Sequence, residues 1–138
     1  MTQFQGPIVL TGRILLALMF VLSGFTKIGA FAGTQQYMEA FGVPGALLPL
    51  VILLELVGGL MIAAGLFTRI TALALAGFTL IAAIVFHANF GDQVQTIFFM
   101  KNLSIAGGFL MLVAFGPGWL SIDARRTGGE IAGSGASA

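Results

Sequence analysis

The sequence predicts an all-α protein, an integral-membrane bundle of four transmembrane helices with a short interfacial helix between helices 1 and 2. Three observations predict it. Of the 138 residues 58% are hydrophobic and only 8% are charged, against about a quarter charged in soluble domains. Mean hydropathy is +1.04. The apolar residues gather into four runs, each near the roughly 20 residues that cross a bilayer, with Gly, Pro and polar residues between them.

The first run extends from Ile8 to Thr26. No basic residue precedes it and no clear small-residue cleavage site follows, so it reads as a retained helix and not as a secretory signal. Arg13 lies close enough to one interface to snorkel toward headgroups. Ser23-Gly24-Phe25-Thr26-Lys27 closes the run with small residues suited to close helix contact and a lysine that can reach the opposite headgroups. From Thr34 to Phe41 the spacing is helical but too polar to span, with Tyr37, Met38 and Phe41 on one side. This is the expected interfacial helix, with Thr34 as N-cap, Gly42 just past its end and Pro44 as a stop.

The second run, Ala46 to Leu66, contains Glu55 and ends at Gly65-Leu66-Phe67-Thr68-Arg69. The third, Ile70 to His87, is rich in Ala and Gly, which lets helix backbones approach where apolarity alone cannot drive association in lipid. A polar loop from Asn89 to Gln95 leads to the fourth, Ile97 to Phe115, which stops at Gly116-Pro117-Gly118. Trp119 then reads as an interface anchor. Residues 1–126 form one transmembrane domain, and 127–138 form a flexible tail rich in Gly, Ser and Ala.

Four spans put both termini on one side, with Arg13, Arg69, Arg125 and Arg126, while Lys27 and Lys101 lie on the other. The basic excess predicts that both termini are cytoplasmic. A net charge of +1 without a basic run excludes nucleic acid as a partner. The absence of cysteine removes disulfides, thiolate metal sites and dithiol exchange by this chain. One histidine without carboxylates at ligand spacing builds neither a zinc site nor bis-His haem ligation, so no metal is assigned.

An acidic side chain at bilayer depth demands protonation, a partner or a polar cavity, which makes Glu55 the residue to explain. Counting about 1.5 Å per residue from the cytoplasmic ends puts Arg13 roughly 8 Å and Glu55 roughly 16 Å inside, so Arg13 and Glu55 form a candidate intramembrane ion pair. Glu55 is also a candidate proton relay; no catalytic residue is assigned. The same count gathers Lys27, His87, Lys101 and Asn102 near the opposite face, as candidate ligand-binding residues among aromatic side chains. Such a cluster could hydrogen-bond the carbonyls of a quinone. An aromatic belt and lipid-binding lysines explain the same residues without a ligand. Gly58, Gly59, Gly107 and Gly108 are the candidate helix-packing glycines.

Several of these stretches, taken in order, resemble the DoxX family. They are Arg13, Ser23 to Lys27, Glu55-Leu56-Val57-Gly58-Gly59, Gly65 to Arg69, His87, Met100-Lys101-Asn102-Leu103 with Gly107-Gly108, and Gly116-Pro117-Gly118 with Ser121 and Asp123. The resemblance covers roughly Ile8 to Asp123. It implies a small four-helix protein of a bacterial-type inner membrane, where founding members are subunits of a thiosulfate:quinone oxidoreductase and others belong to oxidative-stress assemblies. Without cysteine this chain has no sulfur-carrying nucleophile. The function expected is therefore a quinone-interacting or accessory subunit of a membrane redox complex, with quinone as candidate cofactor. The lipid bilayer and a homo-oligomer or redox-complex partner are its expected surroundings. A structural or assembly protein without catalysis, and a small transporter or lipid-handling protein using Glu55, are the alternatives.

Overall fold

The computed structural model describes residues 2–126, so the expected 127–138 tail lies outside the described residues. The helices are α1 (Thr2–Gly29), α2 (Phe31–Ala40), α3 (Leu48–Ala64), α4 (Thr68–Phe86) and α5 (Gln93–Phe115), with a 3-10 turn at Gly45–Leu47 continuing into α3. Among the described residues four segments are long and apolar enough to span, Gln3–Gly29, Gly45–Ala64, Thr68–Phe86 and Gln93–Phe115. The short α2 lies between the first two.

Helix ends depart from the apolar runs because apolarity marks hydrocarbon depth, whereas caps and turns stop a helix. α5 starts at Gln93 and not at Ile97 because Asp92 caps it, its Oδ1 accepting from the N–H groups of Val94 at 2.9 Å and Gln95 at 3.4 Å. α2 starts ahead of Thr34, whose hydroxyl donates back to Ala30 O at 2.8 Å instead of capping. Its far end is as expected: Gly42 takes φ +80°, Val43 N–H reaches Met38 O and Gly42 N–H reaches Glu39 O. This is the left-handed glycine ending of a helix, and Val43 packs with Met38 below it.

α1 packs along α3, α4 packs along α5, and a looser α3–α4 contact joins the two pairs. In lipid such packing rests on close van der Waals fit. A Cβ on Gly59 would come within 2.9 Å of Val21 Cγ2 and 3.3 Å of Ala17 O, so α1 and α3 approach there as only glycine permits. Gly58 faces Leu75 of α4, and Gly108 faces Leu16 of α1. Gly107 corrects the expectation of helix packing: open space surrounds its missing side chain, because it lies on the outer side of α5. The core centres on Ala17, Phe20, Ile62, Leu75, Ala106 and Phe109. The Phe20 and Phe109 rings meet edge-on at 5.4 Å, a favoured aromatic geometry.

The end of the bundle bearing the α3–α4 turn is tied by long-range polar contacts. Gly65 ends α3 with φ +73°, and Phe67 follows with φ +46°, a strained value for a side chain of its size. Asp123 holds that turn by accepting from the N–H groups of Phe67 and Thr68, both at 2.8 Å. Its own N–H donates to Gly65 O at 2.9 Å, and Arg126 lies 4.8 Å over the Phe67 ring. Asp123 thus caps α4 from a position far along the chain.

Burial pushes the Asp123 carboxyl up, but the Thr68 backbone and side chain, the Phe67 N–H and the Arg126 charge together hold it below its ordinary 3.8. A depressed carboxyl contributes stability that is complete above the unfolded value and is lost as pH falls through the folded value. Asp123→Ala is expected to cost about 1 kcal/mol at neutral pH, the usual loss of a helix cap. In unfolding measured against pH, the gap between the two proteins should close only once pH has dropped below 3.8. A gap that is constant down to pH 2 (about two units lower) would remove the capping carboxylate as its cause.

Candidate functional site

Glu55 is buried in the middle of α3, and its partner is Lys27 of α1, with Nζ to Oε1 at 2.6 Å. The Lys27 ammonium also donates to Ser23 Oγ, one turn back on its own helix, at 2.7 Å. Side-chain exposure is 26% for Lys27 and 3% for Glu55. The expected Arg13–Glu55 pair is therefore corrected to Lys27–Glu55. Helical side chains lean toward the N-terminus of their helix. Lys27 accordingly leans down into the bundle, and Arg13 leans away from Glu55, so backbone depth alone points to the wrong cation.

Arg13 is fully buried and does not snorkel to headgroups. Its Nη1 donates to Ile62 O at 3.3 Å and Ala63 O at 3.2 Å, and its Nη2 to Leu120 O. Ile62 O also accepts from Gly65 N–H at 3.2 Å, but both of the first two carbonyls belong to the last turn of α3 and lack the i+4 N–H partner of a helix interior. The guanidinium replaces that partner and draws the α3 terminus, α1 and the segment after α5 together.

Above the Lys27–Glu55 pair lies a cavity of about 380 Å³. Its base carries Ser23, Lys27, Glu55, Thr79 and Asn102, contributed by α1, α3, α4 and α5. Tyr37 and Met38 of α2 line it from the interface side, and Phe20, Val51 and Phe78 belong to its apolar wall. Tyr37 stacks on Phe86 at 5.4 Å, and Phe41 meets both rings, which clamps α2 onto the end of α4. Met19 and Ile81 also line the cavity, yet are 45% and 64% exposed. The cavity therefore reaches the lipid-facing flank of the bundle.

The outer cluster expected from depth counting is divided. Lys27 and Asn102 line the cavity, and Asn102 Nδ2 donates to Thr79 O at 3.4 Å. His87 and Lys101 do not. His87 ends α4, and its Nδ1 donates to Gln95 Oε1 at 2.7 Å beside the Phe98 ring. Lys101 is exposed on α5 with its ammonium 5.7 Å from the Phe98 ring. Ser23, Tyr37 and Thr79 join the site without having been singled out. For Ser23 a signal existed, since it stands one turn before Lys27 on the same helix face. Among the described residues no group of three or more His, Cys, Asp or Glu could hold a metal ion.

The sequence profile of the DoxX family matches residues 8–88, a stretch that contains Lys27, Glu55 and the α2 roof. The chain belongs to the DoxX family. It is 59% identical over 123 residues to the inner membrane protein YqjF of Escherichia coli (strain K12), an alignment covering 89% of this chain and 95% of that protein. To the inner membrane protein YphA of the same organism it is 39% identical over 125 residues, covering 86% and 89%. The CatD protein of Bacillus subtilis (strain 168), named as a candidate oxidoreductase, is 33% identical over 73 residues, 53% of this chain and 54% of that one. No solved structure matches. This DoxX-family chain, with its four spans and two inner-membrane relatives, is a multi-pass inner-membrane protein.

Proposed function

We propose that this DoxX-family protein binds a quinone in the intramembrane cavity and serves as the quinone-handling subunit of a membrane redox complex. The observation that carries the reading is the cavity itself, mostly apolar, open to the lipid flank and based on a single ion pair. Its volume of about 380 Å³ is in the range of small-molecule sites. A lipid-soluble ring with an apolar tail fits such a site, with the tail leaving between Met19 and Ile81. An ammonium has three donors, of which Lys27 uses two on Ser23 and Glu55. The third is available to a ring oxygen, and Tyr37 offers an aromatic face. Glu55 is placed to take or return a proton as the ring changes redox state. The name of the CatD relative accords with a redox role. In this reading both termini face the cytoplasm, on the side of Arg69, Arg125 and Arg126, and a partner protein or second copy supplies or accepts the electrons.

The test is mass spectrometry of small molecules extracted from gently purified protein. Near-stoichiometric quinone, with its oxidised and reduced forms counted together, is expected in the native chain and in His87→Ala, with at least about a tenfold loss of occupancy in Lys27→Met. Quinone retained in Lys27→Met and lost in His87→Ala would move the site to the outer cluster. The lateral opening also admits an acyl chain, so phospholipid alone in all three samples would favour the lipid-handling reading.

A further inference from the structure

Glu55 presents two oxygens with different fates. Oε1 binds the Lys27 ammonium at 2.6 Å, whereas Oε2 is buried and has no hydrogen-bond partner. The residue is 2% exposed and lines the cavity. A buried carboxylate oxygen without a donor is costly, more so than a neutral group in the same position. Resting on the quinone reading above, we infer that the cavity selects the hydroquinone over the quinone, because its occupant must bring an O–H donor to Glu55 Oε2.

The rest of the base agrees with that choice. Donors are already present: the remaining Lys27 N–H points the site toward an oxygen acceptor. Asn102 uses an amide N–H on Thr79 O. A phenolic hydroxyl is both acceptor and donor. One such group placed between Lys27 and Glu55 accepts from Nζ and donates to Oε2 together. A quinone carbonyl can do only the first and leaves Oε2 unpaired. An ether oxygen has the same deficiency, which separates donation from ring shape and tail length.

The experiment measures retention of three ligands with one decyl tail on the immobilised, detergent-solubilised full chain under oxygen-free conditions. They are 2,3-dimethoxy-5-methyl-1,4-benzoquinone carrying that tail, its hydroquinone, and the dimethyl ether of the hydroquinone. The hydroquinone is expected to bind roughly tenfold or more tightly than either of the others. Quinone binding as well as or better than hydroquinone overturns the inference and leaves the quinone site standing. Retention of none of the three above a resin without protein overturns both. In Glu55→Gln, keeping the amide oxygen on Lys27 turns an N–H₂ donor toward the ligand, so the order is expected to reverse in favour of the quinone. A hydroquinone preference unchanged in a folded Glu55→Gln protein would show that Glu55 is not its source. The ligand series on the native chain decides the matter if the variant does not fold.

Discussion

Arg13→Leu is expected to lower the stability of the bundle by about 3–5 kcal/mol, the largest effect of any single substitution outside the cavity. The side chain is fully buried and donates to the carbonyls of Ile62, Ala63 and Leu120. Leucine restores apolar contact but leaves the Ala63 and Leu120 carbonyls without the guanidinium and Ile62 O with Gly65 N–H alone, and each acceptor orphaned in this way costs about 1–3 kcal/mol. The neighbouring geometry offers no compensation. Gly65 is left-handed and so close to Arg13 and Ser121 that even a Cβ there would collide with both. Arg13→Lys should recover only part of the loss, because an ammonium lacks the rigid fork that spans from the end of α3 to Leu120. Unfolding of the purified protein in detergent measures these differences. A loss below about 1 kcal/mol for Arg13→Leu would mean that water or lipid already satisfies those carbonyls. Ligand occupancy per folded molecule should be unchanged, since Arg13 is not among the cavity residues.

The same residue shows what the sequence makes legible. Four apolar runs and their breakers identify the spans, because a bilayer demands length and apolarity before anything else. Asp92 starts α5 at Gln93, ahead of the Ile97 start that apolarity predicts, but the local ending of α2 at Gly42 is legible. The capping of α4 by Asp123 is not, since the contact crosses 55 and 56 residues of chain. The partner of Glu55 is hidden for a different reason. Residue counting fixes the height of a backbone, but a lysine or arginine acts through its tip, several ångströms nearer the N-terminus of its helix. In antiparallel α1 and α3 that lean carries Lys27 toward Glu55 and Arg13 toward Ile62. The division of the outer cluster has a third cause. α5 is apolar around most of its circumference, so its pattern does not say which face turns inward. Asn102 and Lys101, adjacent in sequence, were therefore indistinguishable until the packing separated them.

The Lys27–Glu55 pair should behave as one unit in stability and as two residues in ligand binding. Lys27→Met and Glu55→Leu are each expected to cost about 2–3 kcal/mol, because each leaves an uncompensated charge in or near the membrane interior. Partial exposure of Lys27 keeps the figure below that of a fully buried pair. The double replacement removes both charges and should return to within about 1 kcal/mol of the native chain. Its cycle should therefore show a coupling of at least about 3 kcal/mol, whereas Arg13→Leu with Glu55→Leu should be additive within about 0.5 kcal/mol. Additivity in the first cycle and coupling in the second would restore the pairing expected from depth alone. Stability regained in the double variant should not bring back the ligand, because Lys27→Met removes the ammonium donor and Glu55→Leu removes the carboxylate acceptor. A stable, empty double variant would show that this ion pair is retained for what it holds and not for the fold, since apolar side chains of similar size serve the bundle as well. A stable double variant with full occupancy would reduce the pair to a helix pin and leave the apolar walls as the whole of the binding site.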